Sequence, residues 1–275
     1  MGCMYTLLAS GLTLIFGILN IPNFGHGALY MLGAFFTYFF VTSMGINYWL
    51  CLVLTFVSIG VIGFVIERII FHPIRNAPHA NGFAAALGLL IILQGGVLYL
   101  FGGDFRQVPV PYSAMILSVG PIVITLQRLM MIVSSIAIMI MLQLFIKKTV
   151  TGATIEAVAQ NSEGAQLLGI SVNRVRALTF LLGTALAGVA GTLMAPITSV
   201  HPNMGFGPLL IAFAAVIFGG MGSLPGAMIG AFICGIVETL TAGYISAAYK
   251  DLAIFAVMIA ILLLLPQGLM GKRRS

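Results

Sequence analysis

Long apolar runs separated by short polar stretches dominate the pattern of this chain. They cover residues 4–19, 28–42, 48–66, 83–101, 129–146, 178–197, 209–218, 227–240 and 252–265. Crossing a hydrocarbon core of ~30 Å takes about 20 helical residues, and most of the runs approach that length. The pattern therefore predicts an all-α integral membrane protein: a polytopic helix bundle of nine spans, give or take one or two, so about 8–10. The shorter runs could be half-helices or re-entrant segments. Residues 147–177 form the longest non-apolar stretch expected in the cytoplasm. They read as two short helices, 153–160 and 163–168, joined at Asn161-Ser162 and stopped by Gly169.

Composition removes the soluble alternatives. Hydrophobic residues make up 60% of the chain and charged residues 7%, with a mean hydropathy of +1.14, whereas soluble domains carry about 25% charged residues. The first 66 residues contain no Asp, Glu, Lys or Arg. The net charge of +6 is gathered in clusters between runs, namely Arg68 to Arg75, Lys147-Lys148, Arg174 to Arg176 and Lys272-Arg273-Arg274. That is the positive-inside signature of cytoplasmic loops, not a nucleic-acid face. With 67–81, 147–177 and the basic tail inside, the runs alternate without conflict, and 102–128, 199–207 and 241–251 face outside. The expected location is the cell (inner or plasma) membrane, multi-pass. Residues 3–19 lack a basic n-region and are followed at once by further apolar runs, so they read as a span rather than a cleaved signal. Cys3, Cys51 and Cys234 are too scattered for a disulfide framework or a metal site.

Small residues recur every four positions at Gly183, Ala187 and Gly191, and again at Gly222, Gly226, Gly230 and Cys234. Such stripes let helix backbones approach closely in lipid. A second regularity is longer: Ile21-Pro22-Asn23-Phe24-Gly25-His26-Gly27-Ala28-Leu29 recurs as His201-Pro202-Asn203-Met204-Gly205-Phe206-Gly207-Pro208-Leu209. Five spans lie between the copies, which places them on opposite sides and is the trace expected of an inverted internal repeat. Proline stops the helix before it and glycine admits unusual backbone angles. Non-helical backbone at membrane depth is tolerated only where it is buried in protein or lines a wet cavity. The two segments are either substrate-path breaks or tight turns, which makes Pro22, Asn23, Gly25, Gly27, Pro202, Asn203 and Gly205 path candidates.

Polar side chains inside the runs add Glu238, Gln94, Asn20 and His26, since such groups usually face the bundle interior. Glu238 lies one turn beyond Cys234 on the second stripe and could line the path or be hydrogen-bonded near the outer interface. His26 reads as a hydrogen-bonding helix-end residue, with no partner at metal-ligand spacing. The expected cytoplasmic loop carries apolar Ile155, Val158, Leu167, Leu168 and Ile170 among charges, which suggests docking onto another protein, the alternative being a loop folded back on its own helices. The chain has no phosphate-binding G-x-x-x-x-G-K-[ST] loop and no buried carboxylate set suited to ion coupling. A transporter without its own motor requires one in trans.

Three stretches resemble the permease family of branched-chain amino acid ABC transporters, of the smaller of its two permease types. They are Gly17-Ile18-Leu19-Asn20-Ile21-Pro22-Asn23-Phe24-Gly25-His26-Gly27; Ala157-Val158-Ala159-Gln160-Asn161 with Leu167-Leu168-Gly169-Ile170; and Phe218-Gly219-Gly220-Met221-Gly222-Ser223-Leu224-Pro225-Gly226-Ala227 followed by Pro266-Gln267-Gly268-Leu269. Their order and spacing fit nearly the whole chain. The expected architecture is one transmembrane domain over 1–275, with half-repeats at approximately 1–146 and 178–275 around the coupling loop 147–177. The resemblance implies that 152–170 seats in a cleft of an ATPase, through Gly152, Glu156, Ala157, Gln160, Asn161, Leu168, Gly169 and Ile170. Members carry an arginine where this chain has Glu156, and they start some residues earlier, so the first span reads as abbreviated. The implied function is translocation of branched-chain or related amino acids into the cytoplasm by a subunit that is not itself an enzyme and holds no cofactor or metal. ATP would be bound by partner subunits. The implied partners are a second homologous permease, two ABC ATPase subunits and an extracytoplasmic amino-acid-binding protein. The alternatives are a urea or short-chain amide ABC permease and an ion-coupled secondary transporter.

Overall fold

The computed structural model describes residues 1–19, 22–111, 115–119, 122–265 and 267–270. All nine apolar runs are helical. They correspond to α1 (Gly2–Leu19), α2 (Gly25–Thr42), α3 (Tyr48–Ile66), α4 (His79–Phe101), α5 (Leu126–Lys148), α8 (Val172–Met194), α9 (Phe206–Gly219), α10 (Leu224–Tyr244) and α11 (Lys250–Leu264). The loop expected in the cytoplasm supplies α6 (Val150–Gln160) and α7 (Ser162–Leu167). A short antiparallel hairpin, β1 (Ile116–Val119) with β2 (Ile122–Thr125), occupies part of the expected outer loop. Local chemistry sets several boundaries. The Asn47 side chain accepts from the Trp49 N–H at the start of α3, and Ser223 accepts from Gly226 N–H at the start of α10. Gly102, at φ +78, ends α4 in a conformation that favours glycine.

Among the described residues, seven helices are long and apolar enough to cross a membrane: α1, α3 with its π-helical extension to Phe71, α4, α5, α8, α10, and α11 with the turn before it. The two that fall outside this set, α2 and α9, are those that begin at the Pro-Asn segments. Fourteen residues of α9 reach only roughly 21 Å at the α-helical rise, short of the ~30 Å core. Seven candidates by length and composition fall within the expected nine, give or take one or two; α2 is 18 residues long, as α1 is, and both helices outside the set begin at the repeated motif.

The core forms around α8, which packs against α1, α2 and α3, while α1 also meets α9 and α10. The first small-residue stripe makes these approaches possible. A Cβ on Gly183 would lie 2.7 Å from the Gly11 carbonyl oxygen, and one on Gly191 would lie 3.0 Å from the Tyr30 carbonyl carbon. Helix backbones are thus in direct contact. Buried threonines donate to carbonyls one turn back, as Thr37 does to Gly33, Thr184 to Phe180 and Thr192 to Gly188. Gln127 donates to the Tyr48 hydroxyl, which donates to the Thr192 carbonyl, tying α5, α3 and α8 together.

In the second stripe, Gly226 and Gly230 meet α9 at Gly219 and Ala215. Gly222 does not belong to it. It sits before the first turn of α10 with φ +85 and open space around it, so it serves a turn rather than a helix contact. The outer helices α4, α5 and α11 bury few residues and present large apolar side chains such as Ile92, Leu100 and Leu263, as lipid-facing surface does. The basic tail Lys272-Arg273-Arg274 lies outside the described residues, as does Pro266.

Candidate translocation core and coupling surface

The two Pro-Asn segments meet. His26, in the first turn of α2, donates from Nε2 to the Leu8 carbonyl at 3.1 Å. Leu8 is near the middle of α1, so α2 starts half-way along its neighbour instead of at the end of a simple hairpin. Gly27 then lies against Gly205, where a Cβ on Gly27 would sit 2.6 Å from the Gly205 carbonyl oxygen and 2.9 Å from the Leu209 Cβ. The first turns of α2 and α9 thus converge inside the bundle. Phe24 stacks on Phe213 with ring centroids 4.9 Å apart.

The chemistry at this junction is polar and underused. Asn23 is buried, and neither atom of its amide has a hydrogen-bond partner; His26 is fully buried, with Nδ1 also unpartnered. The N-terminal ends of helices present free N–H groups and a partial positive charge. Pro22 is half-buried, and Gly25 packs on Leu89 of α4. In the second copy Pro202 and Gly205 are buried, whereas Asn203 is exposed and does not mirror Asn23. Asn20 lies outside the described residues. Gln94 is half-buried on α4, beyond the Leu89 that touches Gly25.

The three stretches that carry the family resemblance come together at one end of the bundle. A Cβ on Gly17 would lie 3.8 Å from the Ala159 Cβ and 3.9 Å from the Gly222 Cα. The chain end returns to the same place, with Leu269 N–H bonded to the Phe218 carbonyl and Met270 N–H to that of Gly219. Within the loop, Thr149 accepts from the Gly152 N–H and Asn161 from the Gly164 N–H, which caps α6 and α7. Gly152 is packed against the backbone of Phe145 and Ile146. Gly169 closes α7 at φ +81, with its own N–H on the Gln166 carbonyl and that of Ile170 on Ala165, the bond pair of a Schellman motif.

The apolar loop residues divide into two groups. Ile155 and Val158 are buried, contrary to the expectation that they stand exposed, because α6 lies back on α1, α5 and α8. Ile170 is half-buried. Leu167 and Leu168 are 90% and 83% exposed, so the uncovered apolar surface is concentrated at the tip of α7. Glu156, Gln160 and Asn161 stand exposed along the same loop, and Ala157 is half-buried.

Glu238 is buried on α10, where its Oε1 lies 3.1 Å from the Lys250 Nζ at the start of α11. Sequence reasoning placed Glu238 near a helix contact but missed Lys250, a partner on another helix with no periodic signal linking the two. The Lys250→Met variant is expected to lower thermal stability in detergent more than Glu238→Gln, because it strands a buried carboxylate whereas the amide leaves unpaired only the Lys250 ammonium, whose side chain is 40% exposed. The difference should be roughly 1–3 kcal/mol, and equal melting shifts for the two variants would contradict the pairing.

Residues 1–262 match the family described as branched-chain amino acid transport system, permease component. The high-affinity branched-chain amino acid transport permease LivH of Escherichia coli K12 is 36% identical over 99% of this chain and 92% of its own length. The corresponding BraD of Pseudomonas aeruginosa is 32% identical over 98% of this chain and 92% of its length. A solved structure, PsaBC from Streptococcus pneumoniae in complex with Fab, has a TM-score of 0.52 at 14% identity, covering 97% of this chain and 90% of that one. The last is a likeness of fold.

Proposed function

Since this chain belongs to the permease-component family of branched-chain amino acid transport systems, we propose that it is the membrane-spanning subunit of an ATP-binding-cassette importer that moves branched-chain or closely related amino acids into the cytoplasm. The observation that carries this is 32–36% identity over nearly the full length to permeases of that stated activity, which favours an amino acid over urea or a short-chain amide. The chain is a multi-pass membrane protein, and its proposed site is the cell (inner or plasma) membrane. Its half-repeats turn over one another as inverted units, with the loop on the cytoplasmic side. ATP is bound and hydrolysed by two separate ATPase subunits, with a second permease and an extracytoplasmic binding protein completing the machine. No bond is made or broken by this chain.

Its own work is mechanical. The ATPase grips Leu167 and Leu168, while α6 bears on Gly17 through Ala159. The same α1 holds His26 at Leu8. Nine residues of helix, roughly 14 Å of stiff rod, therefore join the coupling surface to the junction of α2 and α9. Movement of the loop is delivered to the converging helix starts, where the unpartnered Asn23 amide becomes available to the passing substrate. Gly/Pro-interrupted helices at matching places in two halves suit such a gate.

In liposomes, the purified chain alone should neither hydrolyse ATP nor accumulate leucine, and addition of the three partner subunits and the binding protein should give ATP-dependent uptake. ATP-driven accumulation by the single chain would overturn the reading. Uptake by the complex that urea abolishes and isoleucine does not would replace the substrate class.

A further inference from the structure

A cavity of about 690 Å³ opens where the C-terminal ends of α2 and α8 meet the loop that follows α4. Its volume falls within the roughly 300–1,000 Å³ range of small-molecule sites. One wall is the 105–109 loop, pinned to the segment after α8 by two backbone bonds between Arg106 and Val200, at 2.9 and 2.7 Å. The bridge aims Arg106 inward. Its Nη1 donates to the Tyr38 hydroxyl at 3.1 Å and its Nη2 to the Phe101 carbonyl, while the guanidinium lies over the Tyr38 ring, 5.1 Å from the centroid. The arginine is therefore held in one place rather than left to wave in solvent.

What it lacks is an anion. Among the described residues the ion pair is Glu238 with Lys250, and no carboxylate reaches Arg106. The carbonyl end of a helix softens a cation but supplies only about half an elementary charge per helix. Five N–H groups make up the guanidinium. One is Nε, buried without a partner, and one on each Nη is engaged, leaving an Nη hydrogen on each side of the fork. Thr42, Gln107 and Ser199 line the same space with hydroxyl and amide oxygens, and Val108 and Ile197 add an apolar wall.

We propose that this cavity is the outer reception site for the transported amino acid, with Arg106 taking its α-carboxylate. The hydroxyls and the Gln107 amide oxygen take the ammonium, and the aliphatic side chain lies on Val108 and Ile197. Arginine suits the task because its planar fork matches a carboxylate in two parallel bonds. The site rests on the amino-acid import reading above and adds to it where the substrate first meets this chain.

The test uses the complete complex in proteoliposomes, with Ser199→Cys in a chain whose three native cysteines are replaced. A membrane-impermeant thiol reagent reports access to the cavity. Leucine should slow labelling about fivefold or more, whereas leucinamide, which keeps the side chain and ammonium without the carboxylate, should slow it less than about twofold. Adding Arg106→Gln should erase that difference, and Arg106→Gln alone should raise the KM for leucine uptake about tenfold. If Ser199→Cys assembles poorly, Thr198→Cys should give the same protection pattern. Equal protection by the two probes, no protection by leucine in a complex that transports it, or carboxylate-selective protection surviving Arg106→Gln would each overturn the proposal. Failure of the unsubstituted complex to take up leucine would instead overturn the reading beneath it.

Discussion

Replacing Gly205 with alanine is expected to cut leucine uptake by about tenfold or more, whereas Gly207→Ala should leave it within about twofold. The two glycines stand two residues apart at the start of α9, and both recur in the repeat. Their surroundings differ. A Cβ on Gly205 would run into the Gly27 backbone, whose carbonyl carbon would lie 2.7 Å away, while Gly207 has open space around it. The backbone of Gly205, at φ −83, is one that any residue adopts, so the effect is purely steric. Overpacking costs about 1–3 kcal/mol even when side chains can shift, and here the obstruction is main chain. Uptake normalised to membrane abundance, with the thermal stability of each purified variant, separates the cases. Wild-type uptake by Gly205→Ala would dissolve the claim that the two helix starts are in essential contact.

The second large effect belongs to the proposed coupling surface. Gly169→Val should reduce ATP-driven uptake about tenfold while the chain still inserts and still associates with its sister permease. The cause is conformational, because nothing stands within 4 Å of the position and only φ +81 resists a side chain. A left-handed backbone costs roughly 1–2 kcal/mol for ordinary residues, and β-branched ones suffer most. Relieving it opens the turn, breaks the bonds from Gly169 and Ile170 to α7, and swings Leu168 out of place. Gly169→Asn is the informative companion, since asparagine tolerates positive φ and should retain most of the activity. Co-purification of the ATPase with each variant measures docking directly. Full ATPase retention and transport in the valine variant would make the loop a passive connector.

The apolar runs told where helices lie, because lipid enforces helical backbone wherever the chain is apolar and long enough. Depth was not so legible. Runs 28–42 and 209–218 look like short spans, and nothing in their composition says that both begin inside the bundle; that follows from His26 reaching Leu8 and Gly27 touching Gly205. Four-residue spacing identified the stripes of α8 and α10 but carried one step too far, to Gly222, since periodicity does not see where a helix starts. The burial of Ile155 and Val158 was missed for a related reason: an apolar residue in a polar loop has no sign showing which side is already occupied. Strands β1 and β2 carry β-branched Ile116, Val119, Ile122, Val123, Ile124 and Thr125, but two runs of four residues do not stand out in a pattern read for membrane spans. Arg106 and Tyr38 lie 68 positions apart, and no local pattern joins them.

The contact between Gly27 and Gly205 also governs the order in which this molecule can be made. Ribosomes add about 5–20 residues per second, so the roughly 180 residues separating the two glycines take on the order of ten to forty seconds to emerge. During that interval α2 and α3 are completed beside α1, and Gly27 has no α9 to meet. Only the His26 contact to Leu8 is available early, since both of its partners are synthesised together. Insertion is therefore not maturation for this chain: the first helices must wait, loosely held, until the last third arrives to close them. A chain stopped anywhere before α9 lacks Gly205 and Phe213, the residues that Gly27 and Phe24 meet in the finished bundle.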